Sequence, residues 1–210
     1  MFTLKDDLVA LAQGVSVPFR HLVCQGNAVL GIRGAGKTTT AKKLAELMLD
    51  AGVPWVAFDP IGVWRHLKYA RPGRGGKGYP ILVAGGQDPD LPLTPDSAID
   101  IIKAAMEENI PLVLDFYDPK LSKADWRKIV KDGLAFLLHN NKSLRHIFIE
   151  EAAEFCPQRV MRETGAVYSE VEKLARMGGN ASLGYTLINQ RAEEVNKAVL
   201  ELCAGYFLHC

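Results

Sequence analysis

Apolar and polar positions along the chain alternate between two periods. Short, branched apolar runs predict strands at 28–30, 55–58, 81–84, 111–114, 146–149, 183–188 and 205–208. Between them, apolar residues recur at three- and four-residue spacing and predict helices at 37–51, 96–108, 123–138, 170–176 and 193–202. Runs this apolar have no polar face, so they read as strands covered on both sides, and their alternation with helices predicts an α/β fold with a mostly parallel central sheet. Two helix starts are legible. Thr94 before Pro95 places a hydroxyl ahead of a proline suited to a first helical position, and Ser122 with Asp125 has the spacing of a capping box. The stretch 71–79, RPGRGGKGY, reads as a loop, because glycine and proline dominate it.

The first strand runs into Gly31-Ile-Arg-Gly-Ala-Gly-Lys-Thr38, which fits GxxxxGK[ST], and a helical pattern follows. Glycines at such a turn let successive backbone N–H groups face phosphate oxygens, and the helix dipole adds positive charge. The nucleotide-binding candidates are therefore Gly31, Arg33, Gly34, Ala35, Gly36, Lys37, Thr38 and Thr39. Lys37 would reach the β- and γ-phosphates of ATP, and the Thr38 hydroxyl would ligate Mg²⁺. The dinucleotide pattern GxGxxG fails here, since Thr39 stands where its third glycine belongs.

A second strand, 146–149, ends in Glu150 and Glu151. One carboxylate beside the metal and another that orients or deprotonates water is what phosphoanhydride hydrolysis requires. Adjacent residues at a strand tip face opposite ways and can divide that work. The bland alternative is an acidic helix start. A third apolar run, 183–188, delivers Asn189, Gln190 and Arg191. In an open parallel sheet this is where ligands lie, so Gln190 is placed to sense the γ-phosphate or hold the attacking water.

Composition adds limits. The 210 residues are 48% apolar and 23% charged, which suits one globular domain, 1–210, with residues 1–27 as a short lead-in, too few for a separate N-terminal domain. The chain stops on an apolar strand, which fits a minimal fold or a piece of a longer chain equally. The net charge of +1 gives no global basic excess, so contact with nucleic acid would need local or assembled positive surface. Arg71, Arg74 and Lys77 could line a DNA channel, although a solvated loop is the plainer reading. No apolar run is long enough for a membrane span, no signal peptide is evident, and the cysteines form no CxxC pair. The expectation is a reduced, cytoplasmic protein without membrane contact. Trp55, Trp64 and Trp126 read as packing residues.

Taken together, GIRGAGKTTTAKKL, FDPIGVW, IFIEEAAEFCPQ and LINQRAEEVNKAVLELC resemble the HerA–FtsK superfamily of ASCE P-loop ATPases, nearer HerA, over most of the chain. The resemblance implies a RecA-like core and a homo-oligomer, usually a hexameric ring, that moves or remodels double-stranded DNA. A nuclease or another effector protein can accompany such a motor. It further implies Lys37 and Thr38 as ATP and Mg²⁺ ligands, Glu150 and Asp59 near the metal, Glu151 as catalytic base, Gln190 as sensor, and Arg176 as an arginine offered to a neighbouring subunit's nucleotide. Two departures stand out. The family has Asp-Glu where this chain has Glu150-Glu151, and its second arginine is here Gly179. Two alternatives stay open at this stage: a nucleotide-gated assembly module with little turnover, and a small-molecule P-loop kinase with Arg65, Arg71 or Arg74 as its lid arginine.

Overall fold

The computed structural model describes residues 7–12, 14–69 and 78–209. The chain opens with a hairpin of β1 (Leu8–Ala12) and β2 (Val15–Pro18) and a short helix, α1 (Phe19–Cys24). Part of the lead-in read from the sequence, 8–12 and 15–24, thus forms regular structure. Its elements are short, of four to six residues each. Then follow β3 (Gly26–Gly31), α2 (Lys37–Asp50), β4 (Trp55–Asp59), a 3-10 turn (Trp64–Lys68), β5 (Leu82–Gly85), α3 (Ala98–Glu107), β6 (Leu112–Asp115) and α4 (Lys123–Asn140). The chain continues through β7 (Arg145–Ile149), α5 (Gly165–Met177), β8 (Leu183–Asn189), α6 (Lys197–Leu200) and β9 (Gly205–His209).

The seven later strands form one sheet in the order β5-β6-β4-β7-β8-β3-β9, and every pairing is parallel. Strands β4, β6, β7 and β8 are buried along their whole length, whereas edge strand β9 alternates half-buried and exposed positions. Side chains alternate across the sheet with the two-residue period of a strand. Val29, Trp55, Ala57, Phe148 and Ile188 pack with α1 and α2 on one face. Leu30, Val56, Phe58, Ile147, Ile149 and Leu187 pack with α3, α4 and α5 on the other.

Helix ends differ from the sequence reading for local reasons. The capping box of α4 is present: the Asp125 N–H reaches Ser122 Oγ, and the Asp125 carboxylate accepts the Ser122 N–H. The Thr94 hydroxyl accepts the Ser97 N–H in a turn that precedes α3, so the helix begins at Ala98 rather than at 96. Helix α5 starts at Gly165, before the apolar period becomes regular. The segment 193–202 divides into a 3-10 turn (Ala192–Glu194) and α6, because the Asn196 side chain accepts the Ala198 N–H and starts a new helix there. No helix among the described residues is long and apolar enough to cross a membrane. Residues Arg71, Arg74 and Lys77 lie outside the described residues.

Candidate active site

Parallel strands place all their carboxyl ends on one edge of the sheet, so the turn after β3, the acidic tips of β4, β6 and β7, and the polar tip of β8 share that edge. Strand β8 lies between β3 and β7, which brings Asn189 and Gln190 between the phosphate loop and the two glutamates.

The loop from Gly31 to Gly36 is held open by backbone that L-residues avoid, with Gly34 at φ 83° and Gly36 at φ 97°. Gly36 caps α2 without any side-chain hydrogen bond, so the N–H groups of the first turn, Lys37 to Thr39, have no intrahelical acceptor. An anion fits that arrangement without rearrangement of the helix. Lys37 is 8% exposed, and its Nζ donates to the Ile32 carbonyl at 2.9 Å, folding the ammonium across the loop. Arg33 and Thr39 are exposed, Ala35 and Thr38 half-buried. The loop is also braced from its far side, because the His209 ring at the end of β9 bonds to the Ala35 carbonyl at 3.0 Å.

Glu150 and Glu151 part ways at the tip of β7. Glu150 is 2% exposed, and its Oε2 accepts the indole N–H of Trp64 at 3.0 Å. Burial, with the nearby Asp59 and Glu151 charges, pushes its carboxyl up to about 7. A carboxyl this desolvated is poised for a cation. Glu151 turns into left-handed backbone (φ 50°, ψ 52°), a conformation that a non-glycine residue holds only when its surroundings enforce it. That turn directs its side chain to Gln190, whose Nε2 donates to Glu151 Oε1 at 3.0 Å. Beside them, Asn189 accepts the Ala153 N–H and donates to the Arg191 carbonyl, tying the tips of β7 and β8 together.

Asp59 sits on the same edge, but its carboxylate is engaged. Oδ1 accepts from Ile61 and Gly62 N–H, and Oδ2 accepts from Trp64 N–H at 2.8 Å. Burial raises this carboxyl to about 6. These bonds shape the loop that presents Trp64 to Glu150. Arg176 departs from the others most clearly. It lies at the end of α5, paired with Glu172 on its own helix at 2.9 Å and exposed to solvent. The chain needs only the 3-10 turn Gly178–Ala181 to go from α5 to the first residue of β8, so Arg176 belongs to the sheet edge opposite the phosphate loop.

Three residues of this edge were not singled out for the site from the sequence. Trp64, read as packing, is fully buried against Trp55 and Phe148 and is also the hydrogen-bond donor to Glu150. Asp115 ends β6 and pairs with Arg65 at 3.0 Å, which ties that arginine down instead of leaving it free as a lid. The signal for Asp115 was available: WVAFD, LVLD and IFIE are three apolar runs that each end on a carboxylate. His209 carried no signal, because only strand order reveals that β9 abuts the loop. Among the described residues, no group of three His, Cys, Asp or Glu side chains is arranged to hold a metal alone. Mg²⁺ does not need one, since it commonly takes one or two protein oxygens together with phosphates and water. Thr38 and Glu150 fit that donor set.

No protein-family model matches the chain, and no curated protein sequence matches it. Solved structures do. The genome packaging NTPase B204 from Sulfolobus turreted icosahedral virus 2, in complex with ATP-gammaS, aligns at TM-score 0.51 and 12% identity over 85% of this chain and 70% of that one. Its sulfate complex aligns at 0.52 and 12% identity, over 87% and 72% of the two chains. B204, the DNA-packaging ATPase from Sulfolobus Turreted Icosahedral Virus, aligns at 0.51 and 13% identity, over 85% and 72%. At such identity the likeness is one of fold. With its seven parallel strands, flanking helices and phosphate loop after β3, the chain has the RecA-like α/β fold of P-loop NTPases.

Proposed function

We propose that this chain binds ATP with Mg²⁺ at residues 31–38 and hydrolyses it, acting as an oligomeric, HerA-like ATPase on double-stranded DNA. The observation that carries the reading is the Gln190–Glu151 hydrogen bond, made by a glutamate in strained backbone on the edge that holds the phosphate loop.

In this reading the N–H groups of the first turn of α2 receive the phosphates, and Lys37 exchanges the Ile32 carbonyl for a phosphate oxygen. Thr38 and Glu150 hold the metal, while Asp59 and Trp64 keep Glu150 in place. Mg²⁺, when bound, neutralises charge that develops on the β- and γ-phosphates. Glu151 accepts the proton of the attacking water. Gln190 fixes the Glu151 carboxylate through Nε2 and leaves its amide oxygen to orient the same water.

Arg176 acts on the nucleotide of an adjacent copy, since it is exposed and lies at the sheet edge opposite its own loop. That is the support for assembly. Support for duplex DNA comes from the sequence resemblance and from the fold shared with a DNA-packaging ATPase. The test is phosphate release from ATP with and without linear duplex DNA, combined with the molar mass at saturating ATP and Mg²⁺. Turnover that rises with DNA in an ATP-dependent oligomer supports the reading. A monomer indifferent to DNA contradicts the motor part of it, and absence of ATP binding contradicts all of it.

A further inference from the structure

The edge opposite the phosphate loop has its own unexplained chemistry. A cleft of about 370 Å³ opens there between the ends of α3 and α4, with the first residue of β7, Arg145, in its wall. This size falls at the small end of ligand pockets. Arg145 is 1% exposed, yet it has no carboxylate partner among the described residues. Its Nε donates to Asn141 Oδ1 at 3.4 Å, and its Nη1 is buried with no hydrogen-bond partner. Asn141 is fixed in turn, because its Nδ2 donates to the Ala181 carbonyl at 2.7 Å.

A buried guanidinium without an anion is costly, and burial indeed lowers Arg145 to about 10. The usual resolution is a carboxylate from the same fold, and none is supplied among the described residues. Lys103 and Lys142 also line the cleft, against one acid, Glu107, so the walls carry a local excess of two positive charges. Met106 and Phe136 contribute apolar wall. The carbonyl ends of α3 and α4 favour cations here and offset part of that excess, but they leave Nη1 without a partner.

We propose that this cleft is a binding site for a terminal phosphate monoester carried on an apolar or aromatic body. The guanidinium fork matches phosphate geometry, and a dianion matches the excess of two charges. A monoester is favoured over a backbone diester for a steric reason as well. Arg145 lies below the surface, so the phosphate must enter first, and a diester is flanked on both sides. The site is separated from the ATP site by the length of β7, roughly 16 Å from Arg145 to Glu150 at about 3.3 Å per residue. It stands independently of the ATPase reading.

Phenyl phosphate is the probe, titrated calorimetrically into the full chain with a saturating, non-hydrolysable ATP analogue and Mg²⁺ present so that the phosphate loop is filled. The expected result is one saturable event, weakened at least tenfold in Arg145→Met and several-fold in Lys103→Gln/Lys142→Gln. The double variant changes only exposed lysines and decides the matter where Arg145→Met fails to fold. Absence of saturable binding up to ~10 mM, or equal binding in the wild type and the double variant, overturns the proposal. Displacement of phenyl phosphate by a 5′-phosphorylated duplex, but not by the unphosphorylated one, identifies a DNA end as the phosphate source. Binding that neither duplex displaces identifies a small phosphorylated ligand.

Discussion

Replacing Glu150 with Gln tests whether the site stores a buried carboxyl for a cation. In the folded chain this carboxyl is raised from 4.5 to about 7, with burial as the main cause. At about 1.4 kcal/mol per tenfold change, ionising Glu150 in the fold costs on the order of 3 kcal/mol more than in the unfolded chain. The sign follows from proton binding. The folded state holds the proton more tightly, so the group's favourable contribution is complete below pH 4.5 and is lost as pH rises through about 7. Glutamine keeps an oxygen for the Trp64 indole N–H and never ionises. Glu150→Gln should therefore melt about 5–10 °C above the wild type at pH 8 without Mg²⁺, and the gap should shrink towards zero at pH 4.5. Thermal melts across that range, with and without Mg²⁺ and ADP, read this directly, and the metal should narrow the gap at pH 8 by stabilising the wild type more than the variant. A gap independent of pH, or a glutamine variant less stable at pH 8, would refute the reasoning.

Other perturbations separate structure from chemistry. Gln190→Ala should lower turnover by about a hundredfold while leaving nucleotide affinity unchanged, read by phosphate release and by equilibrium binding of a fluorescent ATP analogue. Gly31→Ala should cost more than about 3 kcal/mol in a denaturant titration, because φ is 152° there and the new Cβ would lie 2.2 Å from the His209 carbonyl oxygen. His146 is fully buried between the Val23 carbonyl and the Thr186 hydroxyl, and burial lowers it from 6.5 to about 4. The unfolded chain thus takes up the proton first, and stability contributed by neutral His146 is lost as pH falls from 6.5 through 4, by on the order of 3 kcal/mol. His146→Gln should flatten that limb of the urea-midpoint profile, whereas an unchanged limb would exclude His146 as its source.

The sheet was legible because its strands are covered on both faces. Runs such as WVAFD and RHIFI have no polar side, and strand is the state that tolerates this at such length. The phosphate loop was legible because its glycines follow from backbone sterics. Strand order was not, since it depends on which faces pack together over long sequence separations, and with it went the contact between His209 and Ala35. Trp64 shows a different limit. Its burial could be read from its size, but a hydrogen bond to Glu150, 86 residues away, is a tertiary fact. The basic cleft at Arg145 had no sequence signature, because an arginine opening an apolar strand looks like an ordinary surface charge.

The most direct measurement is phosphate release from ATP and Mg²⁺ by the wild type and by Glu151→Gln, each paired with its nucleotide affinity. A catalytic Glu151 requires a rate lower by about two to four orders of magnitude at unchanged affinity. Equal rates in the two proteins would show that the Glu151–Gln190 pair does not carry out hydrolysis.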